Sequence, residues 1–153
     1  MADVPLLNGR ALDVNPVERP DARPQADWPD RLILWGPVVA YCALIFTLSS
    51  VSSVPALPGG MSDKSAHFLL YSGLGFLAAR AISGGVRRPM GVGRFAAIVV
   101  LAAAYGLSDE SHQLFVPRRQ FELLDIAADV AGGGAGAIAW WLWGILWRFR
   151  NGL

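Results

Sequence analysis

Charged residues are scarce in this chain: they make up 16% of its 153 residues, while 54% are hydrophobic. So few charges could not coat four apolar helices in water, which argues against a soluble helical bundle. Cysteine is nearly absent. The single one, Cys42, sits inside an apolar run, forms no internal disulfide and says nothing about redox compartment. With no cysteine pair and no H-E-x-x-H, the chain lacks the usual zinc signatures, and with no G-x-S-x-G it lacks the serine-hydrolase elbow. No internal repeat or second domain is visible. A cleaved leader is not expected either, because six acids precede the first apolar segment and that segment is long for a signal core.

What the chain has instead is four long apolar stretches: "LILWGPVVAYCALIFTL" (32–48), "AHFLLYSGLGFLAARAI" (66–82), "FAAIVVLAAAYGL" (95–107) and "IAADVAGGGAGAIAWWLWGILW" (126–147). A membrane-spanning helix needs roughly 20 residues, with a lower limit near 17. The first and fourth stretches meet that length. The second is interrupted by His67, Tyr71 and two glycines, and the third has only thirteen apolar residues, so its helix must carry part of "SDESHQ" with it. The prediction is an all-α, polytopic integral membrane protein of four transmembrane helices in a small bundle, covering residues 31–150. Residues 1–30 hold five of the ten prolines without apolar periodicity, and are expected to form a disordered cytoplasmic tail.

Orientation follows from the basic residues. With four spans, Arg10, Arg19, Arg23, Arg31, Arg80, Arg87, Arg88, Arg94, Arg148 and Arg150 all fall on one side, leaving Lys64, Arg118 and Arg119 for the other. The positive-inside rule then puts both termini in the cytoplasm, and all six tryptophans fall toward that same face. The expected location is a bacterial inner membrane, in keeping with an arginine- and alanine-rich composition.

Outside the tail, every acid and both histidines collect at the opposite, extracytoplasmic ends of the helices. A charge at mid-bilayer costs roughly 2.5–3.5 kcal/mol on insertion scales, so such groups face an interior or a wet cavity and have partners. Asp63, His67 and Tyr71 follow at intervals of four, on one helical face, with Ser62 placed to cap the helix. Tyr105, Asp109 and Gln113 repeat at the same interval, with Glu110 and His112 pointing to the flanks. Glu122, Asp125 and Asp129 form one stripe that repels itself unless Lys64, Arg118, Arg119, a protonated histidine or a cation meets it. Gly132 and Gly136 have the small-xxx-small spacing of close helix contacts.

These residues carry a resemblance. D-K-x-x-H-F-x-x-Y in "DKSAHFLLY", S-D-E-x-x-Q-x-F-x-P-x-R in "SDESHQLFVPRR" and a following D-x-x-x-D-x-x-G, after "TLSSVSSVP", resemble the VanZ-like membrane proteins from Arg31 to about Trp147. The match by motif points to Asp63, Lys64, His67, Tyr71, Asp109, Glu110, Gln113, Arg118, Arg119, Asp125 and Asp129 as site residues. Family members often carry Asn where this chain has Asp129, so a carboxylate is added here. The resemblance implies a cell-envelope protein with a link to resistance to the glycopeptide teicoplanin.

Three roles suit the cluster. The favoured one is non-catalytic binding of a membrane lipid, a lipid-linked envelope precursor or another amphiphile, with arginine suited to phosphate or carboxylate. The second is a membrane hydrolase or transferase, with His67 as general base oriented by Asp63 or Asp109, or with a divalent cation held by His67, Asp109 and Asp129 or Glu110. The third is a structural salt-bridge network. No cofactor, resident metal or nucleic-acid partner is expected.

Overall fold

The computed structural model describes residues 28–52, 62–86 and 88–152. Among them lie four helices and no strand: α1 (Trp28–Ser49), α2 (Asp63–Ser83), α3 (Val92–Gln113) and α4 (Leu123–Arg150). The all-α expectation holds. As the sequence requires, α3 runs on through "SDESHQ". The first helix begins at Trp28, inside the segment assigned to the tail; the rest of that tail lies outside the described residues.

Local signals set the ends of α2. Ser62 Oγ accepts the Ser65 backbone N–H, and Asp63 sits in the first turn at the positive end of the helix. Gly84 closes it with φ 65°, a left-handed conformation that suits glycine.

Helices α1, α3 and α4 are each long and apolar enough to cross a bilayer, which marks a multi-pass membrane protein. Helix α2 is less apolar because it lies at the centre, packed most extensively on α4 and touching α1 and α3 as well. Its contact with α4 is backbone-close. A Cβ built at Gly132 would strike the Phe68 carbonyl, one at Gly136 the Ser72 carbonyl, and one at Gly75 the Gly133 carbonyl. Small residues thus let two helices meet where hydrophobic expulsion from water is not available to join them.

The core between these helices has two clusters, one of Val38, Ile45, Tyr71, Leu74, Ala81 and Ala102 and one of Ala78, Ala79, Ile98, Ala137 and Trp140. Phe76 packs edge-on against Trp140, with ring centroids 5.3 Å apart. Helix α1 buries only Val38, Ile45 and Ser49, and turns Leu32, Ile33, Val39 and Phe46 outward. It is pinned by a polar contact instead. Pro37 has no N–H to give the carbonyl four residues back, that of Ile33, and Arg80 Nη1 donates to that oxygen at 3.0 Å.

Contacts such as Lys64 with Glu122 and Ser50 with His112 bring the end of α1, the start of α2, the end of α3 and the start of α4 to one end of the bundle. The polar residues meet there.

Candidate functional site

Helices α1, α2 and α3 each contribute side chains to a cavity of about 180 Å³ at this end. From α2 come Asp63, His67 and Tyr71, one turn apart on one face; from α3 come Asp109 and Gln113; Arg119 reaches in from the α3–α4 loop. Ile45, Leu48, Val51 and Leu70 make the remaining wall apolar, with Ser49 among them.

Behind the wall, His67 and Asp129 form a buried pair, with Nδ1 2.9 Å from Oδ1. Asp129 is fully buried and His67 nearly so. A carboxylate acceptor fixes the proton on Nδ1, so Nε2 is the ring nitrogen left for other chemistry. The Asp129 carboxylate is therefore the orienting partner of His67. Asp63 and Asp109, considered for that role from the sequence, share the cavity with His67 but are not its hydrogen-bond partner.

Glu110 is a brace. It is fully buried, and its Oε2 accepts the backbone N–H of Glu122 at 2.8 Å while Oε1 accepts from Gln113 Nε2 at 3.2 Å. Glu122 opens α4 without a side-chain cap of its own, so Glu110 provides from another helix the contact that a capping-box acid provides within one. Gln113 Nε2 also lies 3.4 Å from Asp109 Oδ2, which ties the brace to the cavity wall.

The rim is ionic. Lys64 Nζ is 2.7 Å from Glu122 Oε2 and 3.4 Å from Asp125 Oδ1; Arg119 Nη1 is 3.5 Å from Asp63 Oδ2, and its Nε donates to the Val51 carbonyl at 3.4 Å. The Lys64 hydrogen bond holds the Glu122 carboxyl below its ordinary range. Beside the rim, Ser50 Oγ bonds His112 Nε2 at 3.0 Å under the Phe46 ring, so His112 is half-buried and outside the cavity lining.

Six buried polar atoms have no hydrogen-bond partner among the described residues: Ser83 Oγ at the far end of α2, and Ser49 Oγ, Tyr71 Oη, Asp109 Oδ1, Asp125 Oδ1 and Asp129 Oδ2 at this end. Ser49, Tyr71 and Asp109 belong to the cavity wall. Buried polar groups are normally satisfied, so such a concentration marks a place built to receive something polar.

The sequence-predicted residues divide accordingly. Asp63, His67, Tyr71, Asp109, Gln113 and Arg119 line the cavity; Asp129, Asp125, Glu110 and Lys64 support it from behind or at the rim. Arg118 does not join them: it is exposed, with φ 69°, and the turn it makes directs the chain so that Arg119 is the arginine over the site. Sequence reasoning missed Ser49 and Ile45, which stand at the end of an apolar run with no periodic signal to single them out. It also proposed a different cation set. Among the described residues, the donor atoms of Asp63, His67 and Asp125 lie within 4.8 Å of one another.

The family model described as VanZ/LLP1 matches residues 32–145, a span that takes in every cavity residue. No curated protein and no solved structure matches the chain.

Proposed function

This chain belongs to the VanZ/LLP1 family, and from that premise we propose that it is a cell-envelope membrane protein whose cavity binds the polar head of an amphiphile at the outer leaflet. In this reading α2 is a fourth crossing, shielded by its neighbours, both termini lie in the cytoplasm, and the membrane is the bacterial inner membrane. The observation that carries it is the mixed lining: Ile45, Leu48, Val51 and Leu70 share the cavity with Asp63, Tyr71, Asp109, Gln113 and Arg119, with unpartnered Tyr71 and Asp109 oxygens among them. That pairing suits a molecule with a hydrocarbon stem and a head rich in hydroxyl, amide, amine or phosphate. Arg119 takes the acidic group of the head; Asp109 and Tyr71 take its donors. Lipids, lipid-linked envelope precursors and lipoglycopeptides such as teicoplanin share this chemistry.

The test is saturable binding of a fluorescent lipid-linked precursor, or of labelled teicoplanin, to the protein in nanodiscs. Arg119→Ala and Asp109→Asn are expected to weaken it at least tenfold, the equivalent of about 1.4 kcal/mol. Binding that does not saturate, or that matches wild type in both variants, contradicts the proposal.

The His67–Asp129 pair supports a second reading, a membrane hydrolase or transferase. An imidazole held by a buried carboxylate, with its other nitrogen left for substrate, is the arrangement of a general base. Product formation from the same lipid-linked probe, lost in His67→Gln, separates catalysis from binding.

A further inference from the structure

Beside the cavity, six carboxylates (Asp63, Asp109, Glu110, Glu122, Asp125 and Asp129) gather around two permanent cations, Lys64 and Arg119, and one imidazole, His67. Asp109, Glu110, Asp125 and Asp129 are buried. Buried charge of one sign is costly until something positive meets it. The helix dipole at the start of α4 eases Asp125 alone.

We infer that Asp63, His67 and Asp125 form a three-ligand site for a divalent transition-metal ion of the zinc or manganese class. Three observations converge on these residues. Their donor atoms lie within 4.8 Å of one another. Ligands at 2.0–2.2 Å from a tetrahedral metal stand about 3.4 Å apart, so side-chain adjustments on the order of 1 Å close the site. The Asp129–His67 hydrogen bond is the carboxylate–histidine relay that orients ligating imidazoles and raises their basicity. Asp125 is 2% exposed, and its Oδ1 has no hydrogen bond.

The cations nearby do not pre-empt the ligands. Lys64 has its close partner in Glu122 at 2.7 Å and stands off Asp125 at 3.4 Å; Arg119 stands off Asp63 at 3.5 Å and has the Val51 carbonyl besides. Both stand-off distances exceed the roughly 2.7–2.9 Å of a strong charge-assisted bond. One imidazole and two carboxylates leave a fourth position, toward the cavity, for water or for an oxygen of a bound molecule.

Equilibrium dialysis of the full-length protein in maltoside detergent against Zn²⁺ or Mn²⁺, with metal counted by mass spectrometry, tests the site without any amphiphile present. A negative result there therefore leaves the binding proposal above standing, and the reverse also holds. One ion per chain is expected. Asp63→Asn should weaken binding tenfold or more, and Asp129→Asn about 10–100-fold through His67. Asp30→Asn, which alters a carboxylate at the start of α1 at the other end of the bundle, should leave it unchanged. Because the Asp63 side chain is 46% exposed, its substitution is tolerated by the fold and decides the matter even if Asp125→Asn does not assemble. Absence of a stoichiometric ion, or equal affinity in wild type and Asp63→Asn, overturns the inference.

Discussion

His67 on α2 and Asp129 on α4 are joined by a 2.9 Å hydrogen bond in the interior of the bundle, 62 residues apart in the chain. The bond links the two helices that pack most closely, just beyond the glycine contact, and it sets which face of the imidazole meets the cavity. Asp129→Asn retains an oxygen acceptor for Nδ1 and should fold like the wild type. Asp129→Ala leaves the imidazole unpaired and should cost about 1.5–3 kcal/mol of stability, read from thermal unfolding in detergent.

Arg80 and Pro37 should be coupled. In wild type, Arg80→Met strands the Ile33 carbonyl and should cost roughly 1–3 kcal/mol. In a Pro37→Ala background the new N–H satisfies that carbonyl within α1, so the same Arg80 substitution should cost less. A double-mutant cycle in unfolding free energy measures the difference; additivity would show that the contact is incidental.

Glycines in α4 should differ by position. A Cβ at Gly136 collides with the Ser72 backbone, so Gly136→Ala should cost roughly 1–3 kcal/mol and loosen α2 from α4. At Gly134 the nearest atom is a Phe95 ring carbon at 3.8 Å, ordinary contact, so Gly134→Ala should be neutral or gain about 0.5–1 kcal/mol from helix propensity. Thermal unfolding of the two variants checks both.

Much of this was legible in the sequence. Four-residue spacing placed Asp63, His67 and Tyr71 on one face and Asp109 with Gln113 on another, and the Gly132/Gly136 spacing announced a close helix contact. The helix was also expected to absorb "SDESHQ", since thirteen apolar residues are too few to cross. What periodicity does not give is the rotation of one helix against the next. For that reason the partner of His67 could be any of several acids, the choice between Arg118 and Arg119 waited on the loop turn, and Glu110 could be read as a flank residue although it is fully buried as the brace of α4. Arg80 shows the same limit: its sequence position speaks for orientation, while its bond to Ile33 depends on how α1 leans on α2.

That brace has its own test. In Glu110→Ala the Glu122 N–H loses its acceptor, so its amide hydrogen exchange should accelerate sharply while amides in the middle of α4 keep their protection. Unchanged exchange at Glu122 would remove Glu110 from its role in seating the helix.

On the orientation proposed above, the polar cavity opens at the extracytoplasmic face. Phe115, in the α3–α4 loop, is 85% exposed, which makes Phe115→Cys in a Cys42→Ala background a direct reporter. In intact spheroplasts a membrane-impermeant maleimide should label that cysteine fully without permeabilisation. Labelling only after the membrane is opened would place the loop, and the cavity with it, in the cytosol and rule out an opening to the outer leaflet.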